Sequence, residues 1–240
     1  MKRDAAPAIA PANPAPAPPY NLLLTWFAFA GVLLFAAAML WQYGIWAMLL
    51  EADPTGITMI IVAVFAAATL RCGWRSHHLC NEQASMDAWR RGLPGQTHSH
   101  IDTYFRNLLA QRPHDAGARG RLADVLAERL HGPEDSGWWV NGIQIKLGLL
   151  GKVIGFSILA IQISRLESFD PGQTQDLLKT LTGGLGIALL TTAVGLVANM
   201  LLGLQLTQLD RCADTLLADA MQFADTGLPA ILAPLGADAR

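Results

Sequence analysis

The chain has 240 residues, 52% of them hydrophobic and only 15% charged, with a formal net charge of -2. Together with a mean hydropathy of +0.32, that composition points to a membrane protein rather than a soluble domain with a large core. The charge balance leaves no electrostatic footprint for nucleic acid, and three cysteines, Cys72, Cys80 and Cys212, make no disulfide framework.

Residues 1–21 form an Ala/Pro-rich leader that cannot bury a core and is expected to be disordered. The proline tract separates Lys2 and Arg3 from the first apolar run, which is also too long for a signal peptide. From Leu22 to Leu50 no residue is charged. A helix needs ~20 residues to cross ~30 Å of hydrocarbon, so this run spans with room to tilt. The stretch "EADPTG" at 51–56 turns the chain, and the uncharged run from Pro54 to Leu70 returns it. Residues 22–71 therefore read as a transmembrane hairpin of spans 1 and 2.

Residues 72–141 read as a helical segment, with Ile101, Phe105, Leu108 and Leu109 on one face and Leu122, Val125, Leu126 and Leu130 on another. Cys72, His77, His78, Cys80, His98 and His100 gather within this region. Their spacing matches no paired zinc-ligand pattern, so they read as juxtamembrane side chains, with no metal and no cofactor expected. No phosphate-cradling loop or nucleophile elbow is present, and the chain is not expected to be an enzyme.

A second hairpin, spans 3 and 4, occupies residues 142–209. Span 3 runs from about Gly142 to Ser164, broken only by Lys146 and Lys152; a loop follows, and Thr180–Leu209 carries no charge. Residues 210–240 continue as an amphipathic tail, with Leu206, Leu209, Ala213, Leu216, Ala220 and Phe223 along one side of the helix leaving the membrane. Nine of the 17 Lys and Arg residues lie between Arg71 and Arg129, whereas the loops at 51–56 and 166–179 are net acidic. Basic residues collect on the cytoplasmic side, so residues 72–141 and both termini are expected inside. The fold class expected is all-α: a polytopic bundle with four spans, a helical cytoplasmic loop, and a last span extending into the cytoplasm.

In span 3, Gln144, Gly148, Lys152, Gly155, Leu159 and Gln162 recur at three- and four-residue steps, which places them on one face. Gly151 and Gly155 add a small-residue pair that permits close helix approach. Span 4 carries a comparable stripe of Ala188, Thr192, Gly195 and Asn199. Two such stripes and an intramembrane charge point to a lumen or a buried polar interface. None of the four spans contains Asp or Glu, so the chain lacks the usual intramembrane proton carrier.

"LGLLGKVIGF" at 147–156 and "GLGIALLTTAVGLVANM" at 184–200 resemble the two signature segments of the MotA/TolQ/ExbB proton-channel family. The resemblance covers about residues 141–223 and fits an ExbB/TolQ-like pore subunit with four spans. It implies a homopentamer in the bacterial inner membrane, whose third and fourth spans line a pore. Within that pore would sit a small single-span partner of the ExbD/TolR/MotB type, carrying the aspartate that moves protons or sodium ions. The positions implied along the ion pathway are Lys152, Thr192, Gly148, Gly155, Thr191, Ala188 and Asn199. Of these, Lys152 and Thr192 are the partner-binding ones; Thr192 falls at the family's pore threonine, where its hydroxyl would bond the partner's carboxylate or a relay water.

Lys152 stands where the family's signature has a threonine. A lysine at mid-span costs ~2.5–3.5 kcal/mol on insertion scales, and this one sits ~15 Å inside the span. Three resolutions are open: an ion pair with the partner's carboxylate, a neutral amine that relays a proton, or a helix rotated to aim Lys152 elsewhere. Pairing is the resolution favoured here. The function expected is thus the pore-forming stator of an ion-driven motor, the alternative being a non-conducting scaffold whose Lys152 blocks cations.

Overall fold

The computed structural model describes residues 22–53, 55–93, 99–110, 116–164 and 171–237. The leader, His98, and residues 165–170 of the loop expected between spans 3 and 4 lie outside these. Six helices follow in order: α1 (Leu22–Gln42), α2 (Ile45–Ala52), α3 (Ile57–Arg90), α4 (His100–Ala110), α5 (Ala116–Ser164) and α6 (Pro171–Ala237), with no strand among the described residues. Four of them, α1, α3, α5 and α6, are long and apolar enough to cross a membrane. The chain is an all-helical membrane protein.

The first span is shorter than the uncharged run. Helix α1 stops at Gln42 because Gly44 adopts a left-handed conformation (φ 68°), and the short α2 then packs back, Trp46 Nε1 donating to the Ala37 carbonyl at 3.1 Å. Helix α1 presents Leu24, Phe27, Val32, Leu34 and Phe35 outward, as a lipid-facing helix would. It touches the rest through its first turns, where the Trp26 ring covers Gly73 of α3 so closely that a β-carbon there would lie 2.3 Å from it.

The turn into α3 is organised by Asp53. Its Oδ1 accepts from the Thr55 amide at 3.0 Å and from the Thr55 hydroxyl, and its Oδ2 accepts from the Thr58 amide at 2.6 Å. These bonds satisfy otherwise orphaned amides at the start of α3. Burial raises the Asp53 pKa, but hydrogen bonds from Thr55 and Thr58 outweigh it and hold the carboxyl below its ordinary 3.8. A depressed folded-state pKa contributes stability above the unfolded value, and that contribution is lost as pH falls through the folded one. Asp53→Ala is expected to lower stability by about 1 kcal/mol, read as a fall in melting temperature in detergent at neutral pH. Asp53→Asn is expected to flatten the acid limb of the parent's stability profile. An unchanged acid limb would remove Asp53 from it.

The long helices do not stop where the charge pattern changes. Helix α3 continues 34 residues to Arg90, α5 runs 49 residues through Pro133, and α6 runs 67 residues. The divisions drawn at residues 72, 142 and 210 therefore fall inside continuous helices. Pro171 opens α6, where a missing amide costs nothing, so residues 171–179 are helix rather than loop.

Outside the apolar segments the extensions of α3, α5 and α6 pack around α4. Their shared core includes Leu79, Met86, Ile101, Phe105, Leu126, Leu130, Leu209, Ala213 and Leu216. Phe105 sits edge-on to Phe223 with centroids 5.5 Å apart, and Trp89 Nε1 donates to Asp102 Oδ1 at 3.0 Å. Arg90 joins α3 to Asp219 of α6 at 3.1 Å. Two apolar positions expected in this core are turned out instead: Leu109 is 41% and Val125 50% exposed. Each is the immediate neighbour of a position already facing the core, Leu109 following Leu108 and Val125 preceding Leu126, and a helix turns about 100° per residue.

Candidate functional site: the seam between α5 and α6

Helices α5 and α6 meet along a line of small residues. On α5 it runs through Gly148, Gly151 and Gly155, all buried; on α6 through Gly184, Ala188, Thr191, Gly195 and Ala198, also buried. A β-carbon added at Gly148 would lie 3.2 Å from the Thr191 carbonyl oxygen. One at Gly155 would be 3.0 Å from the Ala188 backbone nitrogen, and one at Gly195 3.0 Å from the Gln144 carbonyl oxygen. The two backbones are therefore in direct contact, which side chains larger than glycine or alanine would prevent.

Hydroxyls and amides close the backbone bonds along this line. Thr192 Oγ1 donates to the Ala188 carbonyl at 2.8 Å and lies 3.3 Å from the Gly148 carbonyl of the facing helix. Thr191 Oγ1 contacts its own helix at Ala188, and Asn199 Nδ2 crosses to the Asn141 carbonyl at 2.8 Å. Further along, Gln205 Nε2 reaches Thr69 Oγ1 of α3 at 3.2 Å. Such bonds between spans contribute about 0.6–2 kcal/mol each. Gln144 is fully buried beside the seam, and neither polar atom of its amide has a hydrogen-bond partner.

Of the residues singled out from sequence, Gly148, Gly155, Ala188, Thr191, Thr192 and Asn199 thus lie together, within one chain and against each other. Lys152 does not join them. The line passes from Gly148 to Gly151 and Gly155, steps of three and four that average the helical repeat, and Lys152 is one residue off it. Its side chain is exposed beside Leu149, Val153 and Phe156, with Nζ 6.0 Å from the Phe156 ring centroid. Among the described residues it has no ion-pair partner. The single polar face expected for span 3 is therefore two: a buried glycine seam, and an exposed, mostly apolar surface that carries Lys152 and, nearer the start of the span, Lys146.

Sequence reasoning named Gln144 but missed Asn141 and Gln205, whose signal was an amide one or two turns from a threonine or asparagine on a neighbouring span. No family model matches the chain, and no curated protein or solved structure matches it either. What fold and seam define is a class, a polytopic helical membrane protein built on a tightly packed hairpin of two very long helices.

Proposed function

We propose that the chain is the pore-forming subunit of an ion-driven membrane motor of the MotA/TolQ/ExbB type, assembling as a homopentamer around a single-span partner. The observation that carries this reading is Lys152, exposed deep in span 3 beside Leu149, Val153 and Phe156, within spans that contain no carboxylate. An unpaired amine in hydrocarbon is unfavourable by several kcal/mol, so an oligomer or partner that supplies an opposite charge is stabilised strongly. An aspartate on a partner span both neutralises Lys152 and provides the proton or sodium carrier that this chain lacks.

The seam supports the same reading. Glycine contacts and threonine bonds make the α5–α6 hairpin a stiff unit, while Leu149, Val153, Leu189, Leu196 and Met200 remain exposed for neighbouring copies or lipid. In this reading the arginine-rich region between Arg71 and Arg129 lies in the cytoplasm with both termini, and the membrane is the bacterial inner one. A second reading keeps the architecture without conduction: a ring of lysines facing a pore would repel cations and leave a scaffold.

Native mass spectrometry of the complex extracted mildly from its own host tests the proposal. Five copies of this chain with two of a small single-span protein are expected. An oligomer without such a partner would overturn the motor and favour the scaffold.

A further inference from the structure

Helices α3, α4 and α5 converge on a group of side chains that the seam does not involve. His78 and Glu82 stand one turn apart on α3, and His100 opens α4. One ligand atom from each of His78, Glu82 and His100 lies within 4.8 Å of the others. The two imidazoles stack with centroids 5.7 Å apart. His78 Nδ1 is buried without a hydrogen-bond partner, 4.0 Å from Glu82 Oε1.

Glu82 is 1% exposed and already serves α4. Its Oε2 accepts from the Ser99 hydroxyl at 2.7 Å and the Ile101 amide at 3.0 Å. Its Oε1 accepts, among the described residues, from the His100 amide at 2.9 Å, which leaves it a second lone pair, and lies 4.0 Å from His78 Nδ1. A buried carboxylate capping a helix start is fully explained by those bonds. An orphaned imidazole nitrogen and a second imidazole stacked beside the remaining lone pair are not.

We propose that His78, Glu82 and His100 form a three-ligand site for a divalent transition metal of the zinc class. Two imidazoles and one carboxylate suit zinc, cobalt or nickel, whereas magnesium and calcium prefer oxygen ligands throughout. Bonds of ~2.0–2.2 Å place tetrahedral donors ~3.3 Å apart, so the three atoms need to close by up to about 1.5 Å. His78, with 34% of its side chain exposed, gives both the rotamer freedom and the entry path, and the fourth position stays open to water. The positive charges of Arg75 and Arg129 also act on His100. The same arginines oppose a cation, so the ion is expected to exchange with chelator rather than survive purification. Bound there, it would tie α4 to α3.

The test uses the full chain without an affinity tag, in detergent, stripped with chelator. Cobalt(II) is expected to give a saturable visible absorption band corresponding to a single ion per chain, and zinc to raise the melting temperature to a plateau. His78→Gln and His100→Gln are each expected to weaken binding roughly tenfold or more, while His77→Gln leaves it at the parent level. His78→Gln is the decisive variant because, among the described residues, its side chain makes no hydrogen bond and loses only ring contacts and a 4.0 Å approach to Glu82, so its metal-free melting is expected to fall little while metal binding falls roughly tenfold. Absence of the cobalt band, or a His78→Gln chain that binds like the parent, would overturn the site.

Discussion

Gly195→Leu is expected to break the α5–α6 hairpin. The β-carbon alone would sit 3.0 Å from the Gln144 carbonyl oxygen and the Gly148 α-carbon, both backbone atoms of the facing helix. Backbone cannot step aside as a flexible side chain can, so the helices must separate or shear along the whole seam. Overpacking of this kind costs about 1–3 kcal/mol, and more where neighbours cannot yield. Separation would also break the Thr192 and Asn199 bonds between the helices. The control is Gly186→Leu, since a β-carbon at Gly186 meets nothing within 4 Å. A large drop in melting temperature in detergent is expected for Gly195→Leu against a small change for Gly186→Leu. Equal melting of the two would mean that the backbones do not meet.

Lys152→Thr is expected to act in opposite directions on the chain and on its proposed complex. For the chain alone the change removes an exposed amine from the middle of a span, easing insertion by ~2.5–3.5 kcal/mol. For the complex it removes one member of a desolvated ion pair, a loss of about 2–5 kcal/mol, or roughly thirtyfold and upward in retention of the partner. Co-purification of the partner with parent and variant, alongside melting of the bare oligomer, reads both effects. A variant that keeps its partner like the parent would take Lys152 out of partner binding. Weaker partner retention together with higher ion flux would mark the lysine as a plug as well as an anchor.

Much of this was legible in the sequence, because bilayers impose simple demands. Uncharged runs located three of the four helices long and apolar enough to cross a membrane, an apolar run with only Lys146 and Lys152 located the other, and the three- and four-residue steps of glycine and threonine located the seam. Where the helices end was not legible from charge: α3, α5 and α6 extend beyond their membrane-spanning segments, α5 on its amino-terminal side, because those extensions bury a further core around Phe105 and Leu209. That Lys152 stands off the glycine line was not legible for a related reason. Steps of four from Gly148 reach it as readily as a step of three reaches Gly151, and only the positions of Thr191 and Gly195 on the opposite helix decide between them. Glu82 escaped notice because an acidic residue on a polar helix carries no signal until the chain folds α4 onto it.

The unbroken length of α6, 67 residues and about 100 Å, has a consequence for how this chain can vary. In a protein with loops, a residue gained or lost is absorbed within a turn. Here a single deletion near Leu202 would rotate everything beyond it by about 100° and pull it back ~1.5 Å, swinging Leu209, Ala213 and Leu216 away from the core they share with α4. Tolerated changes in length would have to arrive seven or eleven residues at a time, which restore the phase, and to be matched in α5. The hairpin is in that sense a ruled scale, free to change its letters and hardly free to change its count.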